Sequence, residues 1–236
     1  EHPRGAGSLV RDPGVRASPG VNPWELPAVR RILGERGVAR ARHWLGETRW
    51  AVGLVGLPLP VVRFQLQARR LAWRSEDYLS LMSATRPAKL RTLLRLARGA
   101  QYVVELGTAT GWTAISLVLA QGGRRVLTFD VVQRPEPRRY LALAGPAVSE
   151  RIRLITAPGS DGPPDSTPVE MLYIDSSHER EQTVAEVTAW RPVLRPGAAV
   201  VFDDYGHPDY PGVAEAVEHL GLTGERRGTL FVHWAW

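Results

Sequence analysis

The stretch Tyr102–Leu117, YVVELGTATGWTAISL, decides how this chain folds. An apolar run ends at Glu105 and Leu106, a turn with two glycines follows, and a new apolar periodicity begins at Trp112. This pattern predicts a parallel β-strand that leads into a helix whose N-terminus faces a ligand. The chain after this stretch repeats the same unit, and the chain before it is an addition in front of it.

Strand and helix patterns alternate through the second half of the chain. The predicted strands cover residues 101–106, 125–130, 151–157, 169–175, 198–203 and 229–236. The predicted helices cover residues 112–120, 135–143, 179–194 and 213–220. This alternation is typical of an α/β fold with a mostly parallel sheet and helices on both faces. The turn-rich residues 158–168 predict that one crossover is short or irregular.

The first 77 residues predict two segments in front of a main domain over residues 78–236. Residues 1–22 are rich in Gly, Pro, Arg and Ser and predict a flexible arm. Residues 23–77 predict a helical extension, and its apolar run 44–71 is interrupted by two prolines and too short to span a membrane. We expect this run to pack or to form the interface of a homodimer. A lid over the substrate and a peripheral contact with a membrane surface are the alternatives.

Charge and cysteine content limit the classes of function. The sequence contains no cysteine, which excludes disulfides, zinc–thiolate sites and cysteine nucleophiles. Residues 1–100 carry 18 basic and 7 acidic residues, whereas residues 101–236 carry 12 and 17. The basic half could meet an anionic partner such as RNA, but a solvated arginine-rich surface is the simpler interpretation. No signal peptide is visible, so the cytoplasm is the expected compartment.

Acidic residues mark the ends of the predicted strands, where ligands of open α/β sheets collect. Glu105 precedes the first turn, and its carboxylate suits a cationic or amino-bearing ligand better than a phosphate. Gly107 and Gly111 lie in that turn, but Trp112 stands where a dinucleotide-binding motif needs a third glycine. Asp130 ends the second strand and can accept two hydrogen bonds from a ribose diol. The ligand therefore looks like a positively charged nucleoside.

Three further acids, Asp175, Asp203 and Asp204, follow two later strands and are expected to converge. Such hard oxygen ligands suit Mg²⁺ or Ca²⁺, although the acids could instead cap turns and orient a substrate. His178 and His207 each lie three residues after one of these acids, so one of them is a candidate general base, with His207 preferred.

These residues resemble class I S-adenosylmethionine-dependent methyltransferases over about residues 80–236. The resemblance rests on E-x-G-x-x-x-G at Glu105, on Asp130 and on the block YIDSSHEREQTVAEVTAWRPVLRPGAAVVFDDY, and it is closest to small-molecule O-methyltransferases of the macrocin type. It implies a Rossmann-like, seven-stranded sheet with an antiparallel last strand.

The resemblance also implies roles for individual residues. Gly107 and its turn, including Thr108 and Gly111, would hold the methionine part of the cofactor. Asp130 would hold the ribose, and Gly159 with Ser160 the adenine edge. The three later acids resemble the metal set of cation-dependent catechol-type enzymes, and we expect Asp175 also to take part in catalysis. Tyr205 and Tyr210 would line the acceptor pocket.

The resulting hypothesis is an O-methyltransferase that uses S-adenosylmethionine, with Mg²⁺ as a possible aid. Its acceptor would be a small hydroxylated molecule such as a sugar, glycoside or natural product, without nucleic acid as a partner. An RNA methyltransferase and a non-catalytic binding subunit with a methyltransferase-like fold are the alternatives. The first is motivated by the basic half of the chain, the second by the apolar stretch 50–62.

Overall fold

The computed structural model describes residues 45–235. Arg49–Trp236 forms one compact unit that contains the whole sheet, and of the preceding unit, Glu1–Thr48, only the helical residues 45–48 are described. The predicted arm, residues 1–22, and the helix predicted to start near Asn22 lie outside the described residues.

The described residues in front of the sheet are mostly helical. After helical residues 45–53 come α1 (Leu59–Arg74), α2 (Tyr78–Ser83) and α3 (Pro87–Leu96). Proline occupies the first turn of both α1 and α3, where its missing N–H removes no helical hydrogen bond. None of the described helices is long and apolar enough to cross a membrane.

The elements that follow alternate as the sequence predicts. The strands are β1 (Tyr102–Leu106), β2 (Arg125–Asp130), β3 (Ile152–Thr156), β4 (Val169–Ile174), β5 (Leu194–Phe202), β6 (Gly224–Arg227) and β7 (Leu230–Trp234). The helices are α4 (Trp112–Ala120), α5 (Glu136–Ala144), α6 (Pro146–Ser149), α7 (Arg180–Trp190) and α8 (Pro211–His219). A 3₁₀ turn at Gly159–Asp161 replaces a full helix between β3 and β4, which confirms the predicted irregular crossover.

The seven strands of the described chain form one sheet in the order β3-β2-β1-β4-β5-β7-β6. The pairs from β3 to β5 are parallel, and β7 runs antiparallel to both of its neighbours. The chain order reverses between β1 and β4, so their carboxyl ends border a crevice where ligands of such sheets bind. The predicted seven-stranded, Rossmann-like fold is thus confirmed.

Helices cover both faces of the sheet, and successive strand residues serve opposite faces. One face packs Val103, Tyr173 and Val201 against α1, α3, α4 and α5. The other packs Val104 and Phe202, among others, against α7 and α8. α1 contributes buried Phe64, Ala68 and Ala72, so this part of the extension belongs to the core.

Two strands differ from the sequence prediction. β6 was not located because all four of its residues are exposed and polar or glycine, so its sequence has no alternation. It is a strand because it pairs with β7. β5 begins at Leu194 rather than at residue 198, since Leu194 pairs with Val169 before the register shifts.

Candidate active site

The sheet aligns the ends of β1, β4 and β5 through backbone hydrogen bonds. The N–H of Asp175 donates to the carbonyl of Leu106 at 2.8 Å, and the N–H of Asp203 donates to the carbonyl of Ile174 at 2.9 Å. Gly107 N–H donates to the carbonyl of Phe129 at 2.9 Å. The turn after β1 and the acids after β4 and β5 therefore meet at one edge, as predicted.

The glycine turn, residues 107–111, depends on Gly107. Its φ is +108°, and a Cβ there would lie 2.0 Å from the carbonyl oxygen of Asp175. Only glycine allows the turn and the backbone at Asp175 to approach each other this closely. Ala109 also has a positive φ, +44°, so an alanine occupies a left-handed position that ordinarily favours glycine.

A cavity of about 770 Å³ opens beside this turn. Its wall includes Gly107, Ala109, all three later acids and both candidate histidines, and it also includes residues of α2, of α3 and of the turn between them. Among the described residues four non-glycine positions have positive φ, and Ala109, His178 and Asp204 of the cavity wall are three of them. Strained backbone of this kind concentrates at functional sites.

The three later acids, Asp175, Asp203 and Asp204, form a carboxylate cluster. The side chain of Lys89, which the sequence did not predict to be part of the site, lies against this cluster. Lys89 Nζ lies 2.5 Å from Asp203 Oδ1 and 3.3 Å from Asp204 Oδ1. Burial alone would lower the pKa of Lys89, but the charge and hydrogen bond of Asp203 raise it above its ordinary value. The ammonium is therefore held in its charged form.

Tyr173 joins two members of the carboxylate cluster from below. Its hydroxyl lies 2.9 Å from Asp175 Oδ2 and 2.7 Å from Asp203 Oδ2, and its single proton can be donated to one of them at a time. Burial, together with the charges of Asp175 and Asp203, raises the pKa of this hydroxyl well above its ordinary value. Burial and the charge of Asp175 likewise raise the pKa of Asp203, although Lys89 opposes this.

His178 lies inside the carboxylate cluster, whereas His207 lies at the cavity rim. His178 Nε2 is 3.3 Å from Asp175 Oδ1 and 3.8 Å from Asp204 Oδ2. Neither contact has hydrogen-bond geometry, so this buried nitrogen has ion-pair contacts but no hydrogen bond within residues 45–235. Burial would lower the pKa of His178, but the surrounding carboxylates, Asp175 first, raise it.

The aromatic side chains near the histidines have different roles. Tyr210 lines the cavity and stacks on His178, with 4.7 Å between ring centroids. His207 Nδ1 accepts a hydrogen bond from the N–H of Asp209 at 3.2 Å. Tyr205, which the sequence placed in the acceptor pocket, instead stacks on Phe231 at 4.7 Å and is not part of the cavity wall.

Glu105 and Asp130, the two acids expected to contact the cofactor, differ in exposure. Glu105 is 1% exposed, lies beneath the glycine turn and accepts a hydrogen bond from Thr128 at 2.6 Å. Burial raises its pKa to about 8, although Thr128 opposes this. Asp130 borders a smaller cavity that shares Ala109 with the large one, and its carboxylate accepts hydrogen bonds from the N–H groups of Ala109 and Val132.

Besides Gly107, only Thr108 of the other predicted cofactor residues lines one of these two cavities. Thr108 borders the smaller cavity and its hydroxyl lies 2.7 Å from that of Thr128. Gly111 caps α4 with φ +80°. Gly159 is buried, and its carbonyl accepts a hydrogen bond from Trp190. Ser160 accepts one from Gln182 at 3.3 Å, and neither Gly159 nor Ser160 lines the large cavity.

The geometry does not fit the divalent metal predicted for the carboxylate cluster. Within the described part of the chain no group of three or more His, Asp and Glu side chains is arranged to hold a metal ion. The ammonium of Lys89 already lies against Asp203, and a second cation there would meet its charge. One sequence signal could have identified Lys89, because it is the single lysine among 30 basic residues.

Comparisons with known proteins agree with this architecture. The sequence pattern of a family described as "Methyltransferase domain" matches residues 104–205. That range contains the glycine turn, Asp130, His178 and the carboxylate cluster. No curated protein matches the sequence significantly.

Several solved structures share the fold at low sequence identity. An O-methyltransferase from Bacillus cereus in complex with S-adenosylhomocysteine is 16% identical, with a TM-score of 0.57 over 78% of this chain and 93% of that one. An O-methyltransferase of tomaymycin synthesis from Streptomyces achromogenes, in complex with S-adenosylmethionine, is 23% identical, with a TM-score of 0.51 over 78% and 92%. A TDP-rhamnose 3'-O-methyltransferase of calicheamicin biosynthesis is 20% identical, with a TM-score of 0.53 over 79% and 91%. The chain thus shares the fold of these O-methyltransferases.

Proposed function

We propose that this protein is an S-adenosylmethionine-dependent O-methyltransferase that acts on a small hydroxylated molecule. The observation that carries the proposal is the continuity of the site. The glycine turn borders both the cavity of Asp130 and the large cavity that contains His178 and the carboxylate cluster. A donor methyl group held at the turn would face an acceptor held beside His178.

The cofactor would lie along the carboxyl ends of β1 and β2. Asp130 would hold the ribose, and the turn at Gly107 would hold the methionine part. The buried carboxyl of Glu105 supports the turn from beneath through Thr128 and Thr108. Two of the structural neighbours are complexes with S-adenosylhomocysteine or S-adenosylmethionine, which supports the choice of cofactor.

Methyl transfer from a sulfonium requires alignment of donor and acceptor and removal of the acceptor proton. We assign His178 as the base in preference to His207. Its Nε2 is buried at the cavity wall without a hydrogen bond of its own, so an acceptor hydroxyl can supply one. Asp175 and Asp204 would stabilise the imidazolium that forms.

The acceptor class is proposed from the cavity and from the relatives. A volume of about 770 Å³ is in the range of small-molecule sites. The sugar nucleotide and the natural-product pathway named for two structural neighbours support a sugar, glycoside or natural product. The cavity wall carries three acids and three basic side chains, Arg86, Lys89 and Arg227, so it offers no uniformly basic groove for an RNA backbone.

Magnesium assistance is not part of this proposal, because the ammonium of Lys89 already lies against Asp203.

Dimerisation is a separate proposal. A homodimer is supported by exposed apolar side chains of the extension, including Val52, Val55 and Leu59. Light scattering coupled to size exclusion would test it, and a monomeric mass would contradict it.

Binding of S-adenosylhomocysteine tests the proposed function. We expect this product to raise the melting temperature of the wild type, because a ligand that binds only the folded state stabilises it. Asp130→Asn should abolish the shift, whereas Asp165→Asn, at an exposed acid of the loop before β4, should retain it. A folded wild type without any shift would contradict the proposal.

A further inference from the structure

We infer that the ammonium of Lys89 takes the position that a divalent cation would have in the carboxylate cluster, so that methyl transfer by this protein needs no added metal. The part of the inference that concerns the methyl-transfer reaction rests on the proposed function. Its structural part, that the carboxylate cluster is closed to Mg²⁺ by a side chain of the same protein, is independent of the reaction.

The pairing of the carboxylate oxygens carries the inference. Four of the six oxygens of the carboxylate cluster are engaged by Lys89 or Tyr173, and the other two lie 3.3 and 3.8 Å from His178 Nε2 without a hydrogen bond. Lys89 contacts one oxygen of Asp203 and one of Asp204, and His178 contacts the other oxygen of Asp204 and one of Asp175. Tyr173 contacts the two that remain. Because Mg²⁺ requires several oxygen ligands in nearly octahedral geometry, a metal could enter only by displacing Lys89.

The position of Lys89 in its helix supports the same conclusion. It is the third residue of α3, and a cation in a first helical turn is disfavoured by the helix dipole. The first turn of α3 also contains no acid that could compensate it. Its interaction with the carboxylate cluster, 114 residues away in sequence, offsets that unfavourable position.

The residue type is informative as well. The chain has 29 arginines and one lysine, and the lysine is the residue placed against these acids. An ammonium is a compact point charge, whereas a guanidinium is planar and extended. The ammonium is therefore the side-chain group closest in shape to a bound metal ion.

Lys89 also lines the large cavity, so its charge acts on whatever binds there. An acceptor oxygen that gives its proton to His178 would develop negative charge within reach of the ammonium. A fixed positive charge beside a developing oxyanion lowers the barrier of such a step. Lys89 would thus supply the charge stabilisation for which cation-dependent enzymes use a metal.

Magnesium titration of four proteins tests the inference without a methylation assay. The set is the wild type, Lys89→Met, Lys89→Arg and a matched control, Arg95→Met, which removes an exposed positive charge from the same helix. Melting temperature and calorimetric binding are followed as millimolar MgCl₂ is added to chelator-treated protein. We expect Mg²⁺ to stabilise only Lys89→Met, with at least about tenfold tighter binding than the wild type.

Transfer assays extend the test to function. Wild-type turnover should be unchanged by a chelator, and the activity of Lys89→Met should become dependent on Mg²⁺. Calorimetric binding of Mg²⁺ to the wild type, or loss of its turnover with a chelator, would overturn the inference, and the wild-type measurements decide this even if Lys89→Met does not fold. A wild type that binds S-adenosylhomocysteine but also takes up Mg²⁺ contradicts this inference and leaves the proposed function intact.

Discussion

Two pairs of strands end in acids at the same edge of the sheet, yet their carboxylates have opposite environments. After β4 and β5, the carboxylate cluster is compensated by Lys89 and His178. At β1 and β2, Glu105 contacts a threonine hydroxyl and Asp130 contacts backbone N–H groups. Acids in similar sequence positions therefore serve different purposes. The region after β4 and β5 could stabilise charge that develops during a reaction. The region at β1 and β2 holds the glycine turn and could bind a neutral part of a ligand.

The largest expected effect comes from a substitution at Gly107, where the two regions contact each other. Gly107→Ala places a Cβ 2.0 Å from the carbonyl oxygen of Asp175, so β1 and β4 must separate where the two regions meet. We expect a loss of stability on the order of 3 kcal/mol and loss of S-adenosylhomocysteine binding. Chemical denaturation and a thermal shift assay measure the two effects.

Gly221→Ala is the matched control for this substitution. Gly221 also has a positive φ, +61°, but nothing lies within 4 Å of a Cβ built there. This variant should lose only about 1 kcal/mol, from backbone strain alone. Equal losses in the two variants would show that the contact between Gly107 and Asp175 is unimportant.

The next prediction separates binding from chemistry. Asp203→Asn removes the carboxylate nearest to Lys89, and we expect turnover to fall about a hundredfold while S-adenosylhomocysteine still binds. Asp130→Asn should have the reverse pattern, with binding lost first. Calorimetry and initial rates on both variants make the comparison. If both lose binding equally, the two regions do not have the separate roles assigned to them.

A pH profile of turnover tests the role of His178 in the region after β4 and β5, and the expected effect is smaller. The carboxylates raise the pKa of His178, so as a base it loses its proton only above its ordinary value of about 6.5. Turnover should increase with pH through a midpoint above that value. His178→Gln should remove this limb, and His207→Gln, at the exposed rim, should keep it. A limb that disappears with His207 instead would transfer the role of base to that residue.

The prediction for Glu105, in the region at β1 and β2, concerns stability rather than turnover. Burial raises its pKa to about 8, so the folded state holds this proton between the pKa of about 4.5 in the unfolded chain and that value. Stability therefore falls as pH rises through that window. Glu105→Gln cannot ionise and should be relatively more stable than the wild type at pH about 9 than at pH about 5. Parallel pH curves for the two proteins would contradict this.

Much of the fold was readable from the sequence because buried strands carry an unambiguous pattern. β1 and β4 are nearly continuous apolar runs, β2 has apolar residues at three of its six positions, and the bounds of all three agree with the prediction within one residue. β6 escaped detection because its exposed residues are held by pairing with β7 rather than by burial. An alternating pattern of burial cannot reveal a strand whose residues are all exposed and which is defined by its pairing with the next strand.

The acidic residues of the site could be predicted from the sequence because they lie at the ends of strands. Asp175, Asp203 and Asp204 converge as predicted because parallel strands end at a common edge. Lys89 was missed because helix periodicity says nothing about what a first-turn side chain reaches across the fold. Its contact with Asp203 depends on how α3 packs against the sheet, which is a tertiary fact.

A crystal structure with S-adenosylhomocysteine tests the central claim most directly. We predict that the ribose lies on Asp130 and that the sulfur lies at the turn of Gly107, directed toward His178 and Lys89. The distance from the sulfur to an acceptor soaked into the large cavity would then show the path of the methyl group. Cofactor bound away from Asp130, or a sulfur directed away from the carboxylate cluster, would contradict the account.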